Sequence, residues 1–167
     1  AHARIETALH VLTRLGARSS VATAHNLLGE VSRALGDPSR SAEHYRRALS
    51  LHRGCGSQGG ATIAQLNLAI VLIESRQFSR ARQRVDEVMS AMMTQGLEQF
   101  LGAAQLMELV CDGALGQWSG WSERLETVAH RLSESGQVHA DLLMLAETAA
   151  QLAAENGRSQ EGSQATA

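Results

Sequence analysis

The segment Gly54-Cys55-Gly56-Ser57-Gln58-Gly59 has the residue types and spacing of a loop that binds phosphate. In a G-x-G-x-x-G sequence, glycines let the backbone approach a diphosphate, whose charge then lies at the N-terminus of the following helix. That chemistry requires a preceding strand within a βαβ unit. Here the segment follows a sequence with helical periodicity. We therefore interpret residues 54–60 as a flexible linker between two helices, and we expect no cofactor there.

Seven histidines and two cysteines are the other residues with potential metal or nucleophilic chemistry. No two histidines have the i, i+4 spacing that places two imidazoles on one metal ion, and His44 and His52 are eight residues apart. Cys111 lies in an apolar segment, where a thiol behaves as a small hydrophobic group. Cys55 has only Arg53 nearby to stabilise a thiolate. The sequence predicts no metal site and no catalytic residue, so we do not expect an enzyme.

A 40-residue period organises the elements that would position any functional group. Gly16, Gly56, Gly96 and Gly136 are each separated by 40 residues without an insertion. Apolar residues recur at the same interval, namely Ile5, Tyr45, Val85 and Leu125, followed by Ala8, Ala48, Val88 and Val128. Repeats of this size bury their apolar faces by stacking on neighbours, so the period predicts a repeat array.

The composition predicts that the repeats are helical. Of the 167 residues, 44% are hydrophobic but only 3% are aromatic, and there is one proline. This balance, together with abundant Ala, Leu, Gln, Glu and Arg, favours helices over strands. An all-α fold is therefore expected.

The same composition restricts the environment and the partners. A net charge of −2 provides no basic field for binding phosphate, so nucleic acid is not an expected partner. No run of 18 apolar residues is present, and we expect no membrane association. Two isolated cysteines favour a reducing, cytoplasmic setting.

Each period is predicted to form an antiparallel helix pair, with helix A followed by helix B, which gives about eight helices in residues 1–155. The expected elements are a B helix at 1–15, repeats at about 20–54, 60–95 and 100–135, and a partial repeat at 140–155. Residues 156–167 lack apolar periodicity, and we expect a disordered tail. The chain opens in helical sequence without an initiator Met, which we interpret as a fragment of a longer protein.

Two segments resemble a tetratricopeptide (TPR) repeat. The first contains Leu28-Gly29, Gly36-Asp37, Tyr45 and Ala48-Leu49, and the second contains Leu68-Ala69, Phe78, Ala81, Val85 and Val88-Met89 at the same spacings. The period resembles that of the extended-helix repeats in kinesin light chains and in bacterial transcriptional and signalling regulators. The resemblance implies a right-handed superhelical solenoid of antiparallel helix pairs.

The TPR resemblance also predicts how helices A and B pack within a repeat. Small residues at Gly29 and Ser41, and at Ala69 and Ala81, would let the two helices approach closely. In the third repeat, Leu109 and Trp121 occupy the equivalent positions. In this repeat, either Gly113 and Gly120 provide the small surface that lets the two helices approach, or the two helices lie farther apart.

In TPR arrays the A helices line a concave surface on which ligands usually bind. By phase, the resemblance assigns to this surface Thr23, Asn26, Glu30, Arg33, Ile63, Leu66, Ile70, Ile73, Ala103, Leu106 and Val110, followed by Leu143, Ala146 and Ala150 in the last helix. We call the residues that one A helix contributes to this surface a rung. The first rung, on the A helix of the first repeat, is polar, and the later rungs are apolar. Leaving an apolar side chain in water would forgo about 1.5 to 3 kcal/mol, so the second rung should be covered. A partner helix or peptide, a second copy or neighbouring repeats would cover it; the alternative is that curvature lets adjacent A helices cover one another.

These features predict a protein–protein interaction or intramolecular regulatory scaffold within a larger bacterial-type signalling or transcriptional protein. The expected partner is a protein, a peptide or adjoining domains of the parent protein, with an apolar segment bound on the concave face. Two alternatives stay open. One is a homodimer, because both ends of the array expose stacking surfaces. The other is a small-molecule sensor with an apolar pocket between repeats.

Overall fold

The computed structural model describes residues 2–135 and 140–165, with side chains described for 4–134 and 140–157, and all of its regular elements are helical. Its elements are α1 His2–Arg14, α2 Arg18–Ala34, α3 Pro38–Gly54, α4 Gln58–Glu74, α5 Phe78–Gln95, a 3₁₀ turn at Glu98–Phe100, α6 Leu101–Ala114, α7 Trp121–Ser135 and α8 Ala140–Ala165. The prediction of an all-α fold with eight helices is confirmed. Among the described residues, no helix combines the length and the apolar character needed to span a membrane.

Helices α1 to α7 pack in chain order, each against the next, in a solenoid-like arrangement. The A helices α2, α4 and α6 also contact one another across the repeats. One core cluster extends from α4 to α8, and a second joins α3 to α4 through Tyr45, Leu68 and Val71. Five apolar positions of the 40-residue period contribute to these clusters, namely Tyr45, Val85, Val88, Leu125 and Val128, whereas Ala8 in α1 is exposed.

Helices α2 and α3 approach most closely where Gly29 faces Tyr45. A Cβ atom added at Gly29 would lie 2.5 Å from Cε1 of Tyr45. The partner position Ser41, and the equivalent Ala69 and Ala81 of the next pair, are completely buried. The predicted use of small residues at these four positions is confirmed.

The periodic glycines end helices, and a second series of helix ends lies 20 residues out of step with them. Gly16, Gly56 and Gly96 have φ angles of +68°, +70° and +66°, in the left-handed region that favours glycine. Gly136 lies outside the described residues. The second series consists of Gly36, Arg76 and Gly116, at φ of +76°, +55° and +75°. Arg76 is thus a non-glycine residue at a position where its counterparts are glycine.

The segment predicted as a flexible linker at 54–60 is mostly helix. Helix α3 extends to Gly54 and α4 begins at Gln58, so only residues 55–57 connect them. Gly60 lies within α4 against the buried His52, and a Cβ atom at this position would overlap the imidazole ring. The linker prediction is wrong because Gly60 provides close helix approach in place of chain flexibility.

The third helix pair has the bulky residues Leu109 and Trp121 where the earlier pairs have small ones. Trp121 is buried, and its Nε1 donates a hydrogen bond to the carbonyl oxygen of Leu109 at 2.8 Å. A Cβ atom at Gly113 would lie 3.1 Å from Trp118, so Gly113 does supply a small surface. Gly120 instead has φ +61° and forms part of the turn before α7. As a result, α6 and α7 contact each other less extensively than α2 and α3 do.

Helix α8 departs from the predicted array. It packs mainly against α6, much more closely than α4 does, and its described residues make little contact with α7. It also continues to Ala165, whereas disorder was predicted from residue 156. Ala, Gln, Glu and Arg favour helix, and a helix already started on α6 needs no new nucleation to extend. Residues 166 and 167 lie outside the described residues.

Candidate functional site

A partly open cavity of about 790 Å³ lies among the A helices α2, α4, α6 and α8, the 3₁₀ turn and the end of α7. We call it the A-helix cavity. Its apolar walls are formed by Ile63, Leu66, Ile70, Phe100, Ala103, Met107, Leu132, Leu142 and Leu145. Its polar lining consists of Glu30, Arg33, Asn67, Glu98, Gln99, Arg131, Glu134 and Asp141. Concave sites that are mostly apolar, with a few polar groups, are typical binding sites.

Six of the eleven residues assigned to the concave surface line this cavity, namely Glu30, Arg33, Ile63, Leu66, Ile70 and Ala103. The other five do not. Thr23 is exposed in a separate hollow between α1 and α2, and Asn26 is buried. Ile73, Leu106 and Val110 are buried in the core cluster that also contains α8 residues. The 40-residue period therefore predicted two cavity residues on α2, three on α4 and one on α6.

The apolar second rung is largely covered by the chain itself. Leu66 is 6% exposed and Ile70 and Ile73 are 3% exposed, whereas Ile63 is 37% exposed. The expectation of an outside partner over the second rung is wrong for three of its residues. Leu66, Ile70 and Ile73 belong to a core cluster that also contains residues of α5, α6, α7 and α8, so the chain itself buries them. A bounded cavity remains in place of a continuous groove.

Several cavity residues were not predicted because they belong to elements that leave the repeat pattern. Phe100 lies in the 3₁₀ turn, Leu132 near the end of α7, and Leu142 and Leu145 in α8. The phase assigned Leu143, Ala146 and Ala150 to the inner face of α8, but all three are exposed. The stripe formed by Leu142, Leu145 and Ala149 has helical spacing and was the available signal for the face that packs on α6.

Arg33 joins three helices at the edge of the cavity. Its Nη1 donates to Oε1 of Glu74 at 2.6 Å, and its Nη2 donates to Oδ1 of Asp141. Burial alone would lower the pKa of Arg33, but the hydrogen bonds to Asp141 and Glu74 raise it above its ordinary value. The guanidinium group is therefore charged at every physiological pH, and it links α2 to both α4 and α8.

The charged groups around the cavity are predominantly acidic. The lining contains four carboxylates, from Glu30, Glu98, Glu134 and Asp141, and two guanidinium groups, from Arg33 and Arg131. Glu30, Glu98 and Glu134 are exposed and lie on α2, the 3₁₀ turn and α7, respectively. Carboxylate charge thus surrounds the apolar walls on three elements.

A second polar cluster lies away from the cavity and holds α5, α6 and α7 together. The buried carboxylate of Asp112 accepts from Arg82 Nε at 2.7 Å and from Arg124 Nη1 at 2.8 Å. Arg82 also donates to Glu108 at 2.6 Å. These pairs satisfy a buried charge that would otherwise be strongly destabilising. We therefore assign this cluster a structural role.

The candidate chemical groups outside the cavity lie in structural surroundings. Burial raises the pKa of the Cys111 thiol to about 12, whereas Cys55 is exposed. His25 is buried, and its Nδ1 lies 3.1 Å from Nδ1 of His44 at the α2–α3 interface. In the described part of the chain, no three His, Cys, Asp or Glu side chains converge as metal ligands. The A-helix cavity is therefore the strongest candidate site.

Comparisons with known proteins add no assignment. No protein-family model, curated protein or solved structure matches this chain. The function is accordingly argued from the cavity and its surroundings.

Proposed function

We propose that this chain is a TPR-like interaction module that binds an apolar anchor of a partner protein or peptide in the A-helix cavity. The observation that carries the proposal is a cavity of about 790 Å³ whose walls contain nine large or small apolar side chains and which opens to solvent between polar residues. An apolar side chain that leaves water for such walls gains about 25 cal/mol per Å² of buried surface. The proposed role is recognition within a signalling or transcriptional protein.

The shape of the site favours a short anchor over a long helix laid along the inner face. Three residues of the second rung are already covered, and the Arg33–Asp141 ion pair joins the first A helix to the last. The space that remains admits a few side chains. Helix-in-groove recognition instead needs an open stripe that accepts anchors over two turns.

Asn67 favours a peptide as the occupant. It lines the cavity, and its buried Nδ2 has no hydrogen-bond acceptor among the described residues. A buried donor without an acceptor is destabilising by about 1 to 3 kcal/mol. Rotation of the Asn67 side chain would bring this amide to the cavity surface, where a backbone carbonyl oxygen of a bound peptide would accept from it and a purely apolar ligand would not.

The second candidate function is a sensor of a small apolar molecule. It is favoured by the cavity volume of about 790 Å³, because small-molecule sites usually enclose roughly 300 to 1,000 Å³. Native mass spectrometry of freshly purified protein distinguishes the two. A retained mass that organic solvent removes, with loss of peptide binding, would replace the first proposal.

The test uses a variant pair with the same chemical change at two exposed apolar positions. Ile63→Asn alters the cavity wall, whereas Leu143→Asn alters an α8 side chain that is 56% exposed and does not line the cavity. Peptides selected from a random displayed library on the unaltered protein should bind Ile63→Asn at least tenfold more weakly, since losing the burial of one aliphatic side chain weakens binding by about 1.5 kcal/mol or more.

Leu143→Asn should retain the affinity of the unaltered protein, and circular dichroism should show unchanged helix content for both variants. If the selected peptides bind both variants equally well, the A-helix cavity is not their site and the proposal is overturned.

A further inference from the structure

We infer that the anchor recognised by the A-helix cavity is flanked by basic residues. This inference rests on the proposed function and adds the charge of the partner to it. The carboxylates around the apolar walls favour this charge, and the occupant is a peptide segment.

The positive charge of Arg33 is balanced within the chain. The Arg33 side chain is only 16% exposed, and its guanidinium group donates to Glu74 and Asp141. The other charged groups of the cavity lining are the carboxylates of Glu30, Glu98 and Glu134 and the guanidinium group of Arg131; Glu30 has a partner within the chain, and Glu134 lies 3.5 Å from Nε2 of His130. With four carboxylates and two guanidinium groups, the lining carries a negative formal charge at neutral pH.

The three carboxylates lie on separate elements. Glu30 is on α2, Glu98 opens the 3₁₀ turn two residues before Phe100, and Glu134 is on α7 two residues after Leu132. Glu98 and Glu134 thus each lie close in sequence to an apolar wall residue. Because Glu98 and Glu134 line the same cavity as Phe100 and Leu132, a segment whose apolar residue enters the cavity places its flanking residues near a lining that carries carboxylates.

Charge at the edge of an apolar site selects the partner mainly through encounter rate and through repulsion of like charge. Lys or Arg beside the anchor would be attracted to the cavity, whereas Glu or Asp would be repelled. Such attraction between exposed charges is screened over about 8 to 10 Å at moderate salt, so it should weaken as salt is added.

The experiment compares three labelled peptide sets that share an apolar centre of five residues drawn from Leu, Ile, Met, Phe and Trp. The flanks are Lys-Lys in the first set, Gln-Gln in the second and Glu-Glu in the third. Binding is measured by fluorescence anisotropy at 50 mM and 500 mM NaCl. We expect the Lys-flanked set to bind at least tenfold more tightly than the Glu-flanked set at 50 mM, and the difference to fall below threefold at 500 mM.

A matched pair of double variants assigns the charge effect to the cavity. Glu98→Gln with Glu134→Gln removes two lining carboxylates, and Glu126→Gln with Glu147→Gln removes two exposed carboxylates that do not line the cavity. The first pair should bring the Lys-flanked and Glu-flanked sets to within threefold of each other. The second pair should leave the preference unchanged.

The outcomes separate this inference from the proposed function. If all three sets bind equally and all are lost in Ile63→Asn, the cavity binds apolar anchors and the charge inference is overturned. If no set binds, or if binding survives in Ile63→Asn, both fail. If light scattering shows a dimer that Ile63→Asn dissociates, a second copy of the chain occupies the cavity, and the peptide inference is overturned.

Discussion

Arg33 and Asp141 form an ion pair although they are 108 positions apart in the chain. The same guanidinium group donates to Glu74, so one side chain joins α2, α4 and α8 at the edge of the A-helix cavity. Both partners of the long-range pair are partly buried. This pair connects the polar first rung to the helix that leaves the repeat pattern.

Breaking this ion pair should loosen α8. Asp141→Asn removes the charged acceptor of Arg33 Nη2 while keeping the shape of the side chain. We expect the free energy of unfolding to fall by about 1 to 2 kcal/mol, because hydrogen bonds to charged groups contribute more than neutral ones. Urea unfolding measures the loss, and hydrogen exchange should place it in α8.

A double-mutant cycle isolates the pair from other effects of the substitutions. Arg33→Gln, Asp141→Asn and their combination should show a coupling free energy of about 0.5 kcal/mol or more. A coupling indistinguishable from zero would mean that the pair does not hold α8 in place.

The close contact between Gly29 and Tyr45 should make Gly29 intolerant of even a methyl group. In Gly29→Ala the new Cβ would lie 2.5 Å from Cε1 of Tyr45, whose ring is completely buried and would have to shift within the core. We expect a loss of about 1 to 3 kcal/mol, the usual range for overpacking. Thermal unfolding followed by circular dichroism measures it.

Gly59→Ala is the matched control, since it is also a helical glycine but a Cβ atom there meets nothing within 4 Å. It should raise stability by about 0.5 to 1 kcal/mol, because alanine favours helix. Equal effects of the two substitutions would contradict the packing assigned to α2 and α3.

Arg76 should be replaceable by glycine with a gain in stability. It has φ +55° at a helix end where its counterparts are Gly36 and Gly116. A left-handed conformation costs a non-glycine residue about 1 kcal/mol, whereas the stacking of its guanidinium on Phe78 at 5.9 Å contributes about 0.5 kcal/mol at an exposed site. Arg76→Gly should therefore raise the melting temperature slightly, and Gly116→Ala should lower it.

Arg76→Lys provides the control for the cation, because it retains a side chain at positive φ and a charge near Phe78. It should give no gain. If Arg76→Lys stabilised the protein as much as Arg76→Gly did, backbone strain would not be the cause.

Stability should fall as pH decreases below about 6.5, the ordinary pKa of histidine. Burial lowers the pKa of His25, with further lowering by His44 and Arg47 that Glu43 opposes, and burial also lowers the pKa of His52. The unfolded chain then binds more protons than the folded one, so stability is retained above pH 6.5 and lost as pH falls toward the folded pKa values.

Urea unfolding at pH 7.5, 6.5, 5.5 and 5.0 tests this dependence. His25→Gln and His52→Gln together should flatten the profile, whereas the exposed His10→Gln should leave its slope unchanged. A slope that persists in the double variant would assign the effect to other groups.

Replacing Asn67 should leave the fold at least as stable and should weaken peptide binding. Asn67→Leu removes a buried donor that has no acceptor among the described residues. We expect stability to be unchanged or higher by about 1 kcal/mol, because an unmet polar group is replaced by an apolar one of similar shape. Isothermal titration with a selected peptide should show weaker binding. Unchanged affinity would mean that the amide does not contact the peptide.

Local features of the fold were predictable from the sequence because local forces determine them. The spacing of Gly16, Gly56 and Gly96 indicated helix ends, and the small residues Gly29 and Ser41 indicated a close approach of the two helices in the first pair. Each depends on backbone conformation or on contact between adjacent helices. The positive φ of Arg76 was not predicted, because its residue type does not indicate that conformation.

The placement of α8 was not predictable by phase, because the period assumes that every pair stacks with the same geometry. The bulky Trp121 and Leu109 reduce the contact between α6 and α7, and α8 then buries Leu145 and Ala149 on α6. The cavity depends on this change, since Leu142 and Leu145 form part of its wall. Six of the twenty residues that line the cavity therefore followed from the repeat.

The Arg33–Asp141 pair also has a consequence for folding kinetics. The contacts of α1 through α7 are mostly between consecutive helices, and such local contacts form early. Pairing residues 108 positions apart requires a long loop to close, which is costly in entropy while the intervening chain is unfolded. The pair should therefore form after the intervening helices have folded. Asp141→Asn should therefore speed unfolding and leave the refolding rate almost unchanged. The A-helix cavity should then be the last part of the molecule to form and the first to be lost.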